Sequence, residues 1–251
     1  MKTNYTNKLI SAGLLLMILS TGVLPVSAHA ATNISARNFC KQLPTLKNKV
    51  TTKIGLGESK LSAHRSSVES KLVDSWNTRD QKLADARTQA NTNKEDQFTS
   101  LFNKASNERE RIAITIFKDT INGAVETRRS AVDNAVKTYR DSVQSLFTTR
   151  EQDIDGYIAT LKSEIDSAFV RAQTDCVAQV DPTTIKSTLT GDIRNAQYKF
   201  RDSKQSQESY ESKVKDLANI RDEAISKAKT DFENTMAEAK ATLKAVLPAK
   251  K

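Results

Sequence analysis

Between Ile121 and Val180 the apolar residues return every eleven positions. The first place of each interval holds Ile121, Val132, Val143, Ile154, Ile165 and Cys176, and the fifth holds Val125, Val136, Phe147, Ile158, Phe169 and Val180. Eleven residues of α-helix make very nearly three turns, so both places fall on one side of a helix. The fourth place (Ala124, Ala135, Leu146, Tyr157, Ala168) joins that side. So does the eighth (Arg128, Tyr139, Arg150, Leu161, Ala172), while Thr127, Thr138, Thr149 and Thr160 flank it. The pattern predicts a long helix whose seam packs straight or with a slight right-handed twist. An amphipathic helix gains most of its stability by burying its apolar face. The segment is therefore expected to fold back, pair with another chain or lie on a surface.

Turn residues are too sparse for anything but helices. Between Thr45 and Asp181 there is no proline, and glycine occurs beyond residue 31 only at 55, 57, 123, 156 and 191. A β-rich fold needs more punctuation. The expected class is all-α: an elongated antiparallel helical bundle or coiled coil, with eleven-residue repeats in residues 121–180.

Residues 1–30 read as a secretory signal peptide. Lys2 and Lys8 precede an uncharged apolar run from Leu9 to Leu24, Pro25 breaks it, and Ala28-His29-Ala30 offers a small-x-small cleavage site, placing cleavage between Ala30 and Ala31. The run is shorter than the ~20 residues that span a bilayer comfortably. The expected location is extracytoplasmic: periplasmic, cell-surface or secreted.

Residues 31–57 carry Arg37, Lys41, Lys47, Lys49 and Lys53 and no acid, whereas the chain beyond is nearly balanced. The basic excess is thus an N-terminal feature that suits an anionic lipid surface or wall polymer. Pro44, Gly55 and Gly57 bracket a short first helix in this segment. A long helical segment then covers 58–180, and Asp181-Pro182 starts a last long helix within 181–251, ahead of a short basic tail. Asp suits the N-cap, and proline at the first helical position sacrifices no intrahelical bond. Two places suit a fold-back within 58–180. Thr92-Asn93-Lys94-Glu95 has the form of a capping box, and Asn122-Gly123 is a strong turn dipeptide. The apolar seam keeps its phase through residue 123, which favours the turn at 91–95.

Cys40 and Cys176 are the only cysteines. In an oxidising compartment an even count suggests a disulfide. A straight helix from 58 to 176 would span ~180 Å, and bridged Cα atoms lie within ~7 Å of each other. A bridge within one chain therefore requires fold-back. A bridge between chains and two free thiols are the alternatives.

Chemistry is hard to find. His64 is the only histidine after the cleavage site, so no zinc-protease motif and no nucleophile elbow accompany it; it reads as a surface residue. Gly55-Leu56-Gly57-Glu58-Ser59-Lys60 lacks the spacing of a phosphate loop. Carboxylates alternate with Lys and Arg, as partners on a helix surface do. Trp76 and the phenylalanines lie mostly on the apolar stripe. No catalytic residue, metal site, cofactor or small-molecule substrate is expected, and no nucleic-acid partner.

Three stretches carry a resemblance: SWNTRDQKLADAR (75–87), RRSAVDNAV (128–136) and DCVAQVDPTTIKSTL (175–189). They resemble a group of uncharacterised, signal-bearing helical proteins of bacteria, a likeness that implies no activity. In class, the chain is also similar to Skp-type periplasmic chaperones, though it has no Skp motif and nothing of their β-sheet trimerisation body. The expected function is a non-enzymatic helical scaffold, spacer or interaction protein of the cell envelope, meeting a protein partner or its own copy through the helical seam. A holdase-type chaperone and a binder of anionic lipid or wall polymer are the alternatives.

Overall fold

The computed structural model describes residues 38–205 and 210–247. Among these residues there are four helices and no strand: α1 (Phe39–Phe102), α2 (Glu108–Val177), α3 (Pro182–Gln205) and α4 (Tyr210–Val246). The all-α class holds.

The helix boundaries differ from expectation at three points. α1 runs unbroken through Pro44, Gly55 and Gly57, so no short separate helix precedes it. Two glycines cost a helix ~1 kcal/mol each. Burying Phe39, Leu43, Leu46, Val50 and Ile54 on one face of this stretch offsets that, at ~1.5–3 kcal/mol per side chain. The helix also continues through 91–95. There the Thr92 hydroxyl donates back to the Thr88 carbonyl, and Glu95 is drawn across to Lys118, so neither half of the expected capping box caps anything. Residues 122–123 are helical as well, and the space where a Gly123 Cβ would stand is open.

The turn falls at 103–107 instead. Asn107 caps α2: its Oδ1 accepts from the Glu110 amide at 3.0 Å, and the Glu110 carboxylate accepts from the Ser106 amide at 2.7 Å and from Asn107 Nδ2 at 3.0 Å. This reciprocal arrangement satisfies donors that a helix start otherwise leaves bare. It also holds Glu110, nearly fully buried, without an unpaired charge. α2 ends in a Schellman motif: the Val180 amide donates to the Asp175 carbonyl and the Gln179 amide to Cys176. Gln179 takes the left-handed conformation, φ 57°, where glycine is usual. Asp181 then caps α3 as expected, its carboxylate accepting from the Thr184 amide at 2.9 Å.

The described chain divides into two compact units. One comprises the described residues up to Lys71 with Leu146–Ser212; the other comprises Leu72–Ser145 with the described residues from Lys213. In the first, α1, α2 and α3 enclose a single aliphatic core. Phe39, Leu43, Leu46, Val50 and Ile54 meet Leu161, Ile165, Ala168, Phe169 and Ala172, with Ile185, Leu189, Ile193 and Ala196 from α3. Lys47–Asp166, Glu58–Lys162 and Arg65–Asp155 step in opposite senses along α1 and α2, so the pair is antiparallel. In the second unit Asp80–Arg140, Arg87–Asp133 and Glu95–Lys118 do the same. The apolar cluster here is smaller: Phe98, Ile121 and Ala239, with Leu101, Phe117, Val125 and Met236. Phe98 and Phe117 meet edge to face at 6.0 Å.

Candidate functional site

Two arrangements stand out among the side chains that the core does not consume. The first is the outward face of α1 in the first unit. The apolar residues of this stretch point to the core, which turns Lys41, Lys49, Lys53 and Lys60 outward, all exposed. Leu56 stands among them, 59% exposed. Among the described residues these four lysines have no ion-pair partner. Lys47, counted with them from the sequence, turns to the α2 side and pairs with Asp166 at 3.0 Å. Lys60 was missed because the count stopped at the expected helix break. Arg37, Ala30 and Ala31 lie outside the described residues. The basic segment is therefore no detachable leader: the same helix that displays the lysines supplies one wall of the core.

The core is closed covalently. Cys40 and Cys176 form a disulfide with Cα atoms 5.8 Å apart, linking the start of α1 to the end of α2 across 136 residues of sequence. Both cysteines pack against the apolar cluster. The bridge lies within one chain, as fold-back allows, although the fold-back occurs at 103–107 and not at 91–95.

The second arrangement is a set of arginines laid on aromatic rings. In the first unit Arg150, 6% exposed, lies 4.7 Å from the Tyr210 ring centroid. The Tyr210 hydroxyl donates to Asp153 at 3.0 Å. Burial, and then that hydrogen bond, push the Tyr210 phenol above its ordinary range. In the second unit Arg140 covers Trp76 at 5.3 Å and Arg221 covers Tyr139 at 4.5 Å. Arg140 also forks onto Asp80, with both nitrogens at 2.7 Å. That hydrogen bonding, ahead of any longer-range attraction, holds the Asp80 carboxyl below the usual carboxylate range. Trp76 thus serves as a platform for a cation, and is half-buried rather than a core residue. Sequence alone separates these arginines from surface partners only through their spacing to aromatics on other helices, which requires knowing the helix pairing.

His64 differs from expectation too. It is half-buried, and its Nε2 is shielded from solvent without a hydrogen-bond partner. Among the described residues no group of three or more His, Cys, Asp or Glu is placed to hold a metal ion, and no helix is long and apolar enough to cross a membrane. A shallow depression lined by Ser163, Asp166, Ser167, Val170 and Arg171 lies on α2 alone. No family model, curated protein or solved structure matches the chain.

Proposed function

We propose that the chain is a non-enzymatic, extracytoplasmic helical scaffold or interaction protein of the cell envelope. The observation that carries this reading is the Cys40–Cys176 bridge set against a continuous aliphatic core. A disulfide persists where the compartment is oxidising, and residues 1–30 have the form of a secretory signal. The side chains that would do chemistry are spent on ion pairs and caps. The test is expression of the full-length chain in a bacterium with two membranes, followed by fractionation and intact-mass analysis. The reading expects a product outside the cytoplasm that begins near Ala31 and carries no free thiol. A cytoplasmic product with an intact N-terminus and two reactive thiols would overturn it.

A second reading is favoured by the unpaired lysines of α1: an anionic surface docks there. Lysine charges within a Debye length of such a surface each add to the attraction, which salt then weakens. Co-sedimentation with vesicles of anionic lipid should be strong at low salt and absent with neutral lipid. Lys49→Glu with Lys53→Glu should abolish it while the helix content is kept. Unchanged sedimentation of that double variant would exclude this face.

A further inference from the structure

The second unit gathers three guanidinium groups where two carboxylates balance them. Arg79 and Asp80 are neighbours on α1; Asp80 holds Arg140 of α2. Tyr139, the neighbour of Arg140, lies beneath Arg221 of α4. Arg221 is held by Asp222, Nε at 2.8 Å and Nη2 at 2.7 Å, and its side chain is only 11% exposed. Arg140 spends both of its terminal nitrogens on Asp80, and its Nε is buried with no acceptor. Arg79 makes no hydrogen bond or ion pair among the described residues. The cluster therefore keeps one positive charge in excess, on a side chain with all five donors unused.

We propose that Arg79 and Arg221 bind a compact oxyanion of the phosphate type, with Arg140 as the fixed positive charge beside them. A planar guanidinium presents paired N–H groups that match two oxygens of such an anion. The rings under Arg140 and Arg221 fix the orientation of two of the three cations before any ligand arrives. Lysine would offer no such fork, and no lysine joins the cluster. The electrostatics agree: burial first, then Arg221 and Arg140, push the Arg79 guanidinium below its ordinary range, so the site gains from a counter-anion. The ligand can be the free ion or the monoester end of a larger molecule, since both present the same oxygens. This site belongs to the second unit and is independent of the lysine face of α1.

Thermal melts of the full oxidised chain in sodium chloride, inorganic phosphate and glycerol phosphate, at matched ionic strength and pH 7, test the proposal. Phosphate is expected to raise the melting temperature with a saturable midpoint in the millimolar range. Arg79→Gln is expected to melt like the parent in chloride and to weaken that midpoint at least tenfold. Arg79→Lys, which keeps the charge without the fork, should fall between the two. A tighter midpoint for glycerol phosphate than for phosphate assigns the site to a phosphate ester; a tighter one for phosphate assigns it to the free ion. A rise that is equal in parent and Arg79→Gln is general salting-out and overturns the proposal, as does the absence of any saturable rise with either anion.

Discussion

Ile165 and Ala159 sit less than two turns apart on α2, yet their environments are opposite. Ile165 is 2% exposed within the first unit's core, while Ala159 faces solvent. Ile165→Ala removes packed atoms that neighbours cannot fully replace, and should cost about 2–5 kcal/mol. Ala159→Lys should change stability by less than about 0.5 kcal/mol. Urea melts of the two variants check the pair; equal midpoints would mean this face is not packed. Ile154, on the same seam, is only half-buried, and its neighbour Asp155 is engaged by Arg65 at 2.9 Å, so neither makes as clean a probe. Tyr210 gives a pH signature. Its phenol is pushed up in the folded state, so the stabilisation by the neutral form is complete below the unfolded value of about 10 and is lost as pH rises through the folded value. Melting temperatures taken from pH 7 to 11.5 should fall more steeply for the parent than for Tyr210→Phe. Parallel curves would remove Tyr210 from that account.

At the scale of the helix, the sequence indicated which faces are buried better than where helices end. The residues at the first, fourth and fifth places of the eleven-residue interval, from Ile121 to Cys176, are all buried or half-buried, whereas Val180 is exposed past the end of α2. Asp181-Pro182 marked a true start because cap and proline act locally. The glycine signals misled because a helix tolerates Gly when the flanking face is buried. The true turn carried a signal of equal strength, Asn107 with Glu110, that resembles the rejected Thr92 with Glu95. What separates them is tertiary: Glu95 has Lys118 opposite, and Glu110 has nothing better to do than cap. Asn107→Ala should therefore cost ~0.5–2 kcal/mol, while Thr92→Ala should be near neutral, as denaturant midpoints can report. Gly123→Ala meets open space and should stabilise by ~0.4–1 kcal/mol. A loss of stability there would mean that residues 122–123 turn after all. Deleting residues 31–57 should not yield a folded remainder, because five core side chains and Cys40 leave together. A cooperative melt of the truncated chain at the parent's temperature would contradict that.

At the scale of the whole molecule, both α1 and α2 contribute to each unit, which no local pattern could reveal. The lysine face was half legible: Lys41, Lys49 and Lys53 followed from counting charge, but the loss of Lys47 to Asp166 and the gain of Lys60 needed the helix phase. The arginine cluster was not legible, because Arg79, Arg140 and Arg221 lie on three helices whose pairing only the fold supplies. The central claim is a self-packed helical protein tied by one internal bridge. Circular dichroism melts in buffer without lipid, with and without reductant, test it most directly when paired with non-reducing electrophoresis. The account predicts high helicity without lipid and a monomer that migrates faster when oxidised. Reduction should lower the melting temperature in line with the ~2–5 kcal/mol that closing a long loop contributes. Helicity that arises only with vesicles, or a covalent dimer on the non-reducing gel, would contradict it.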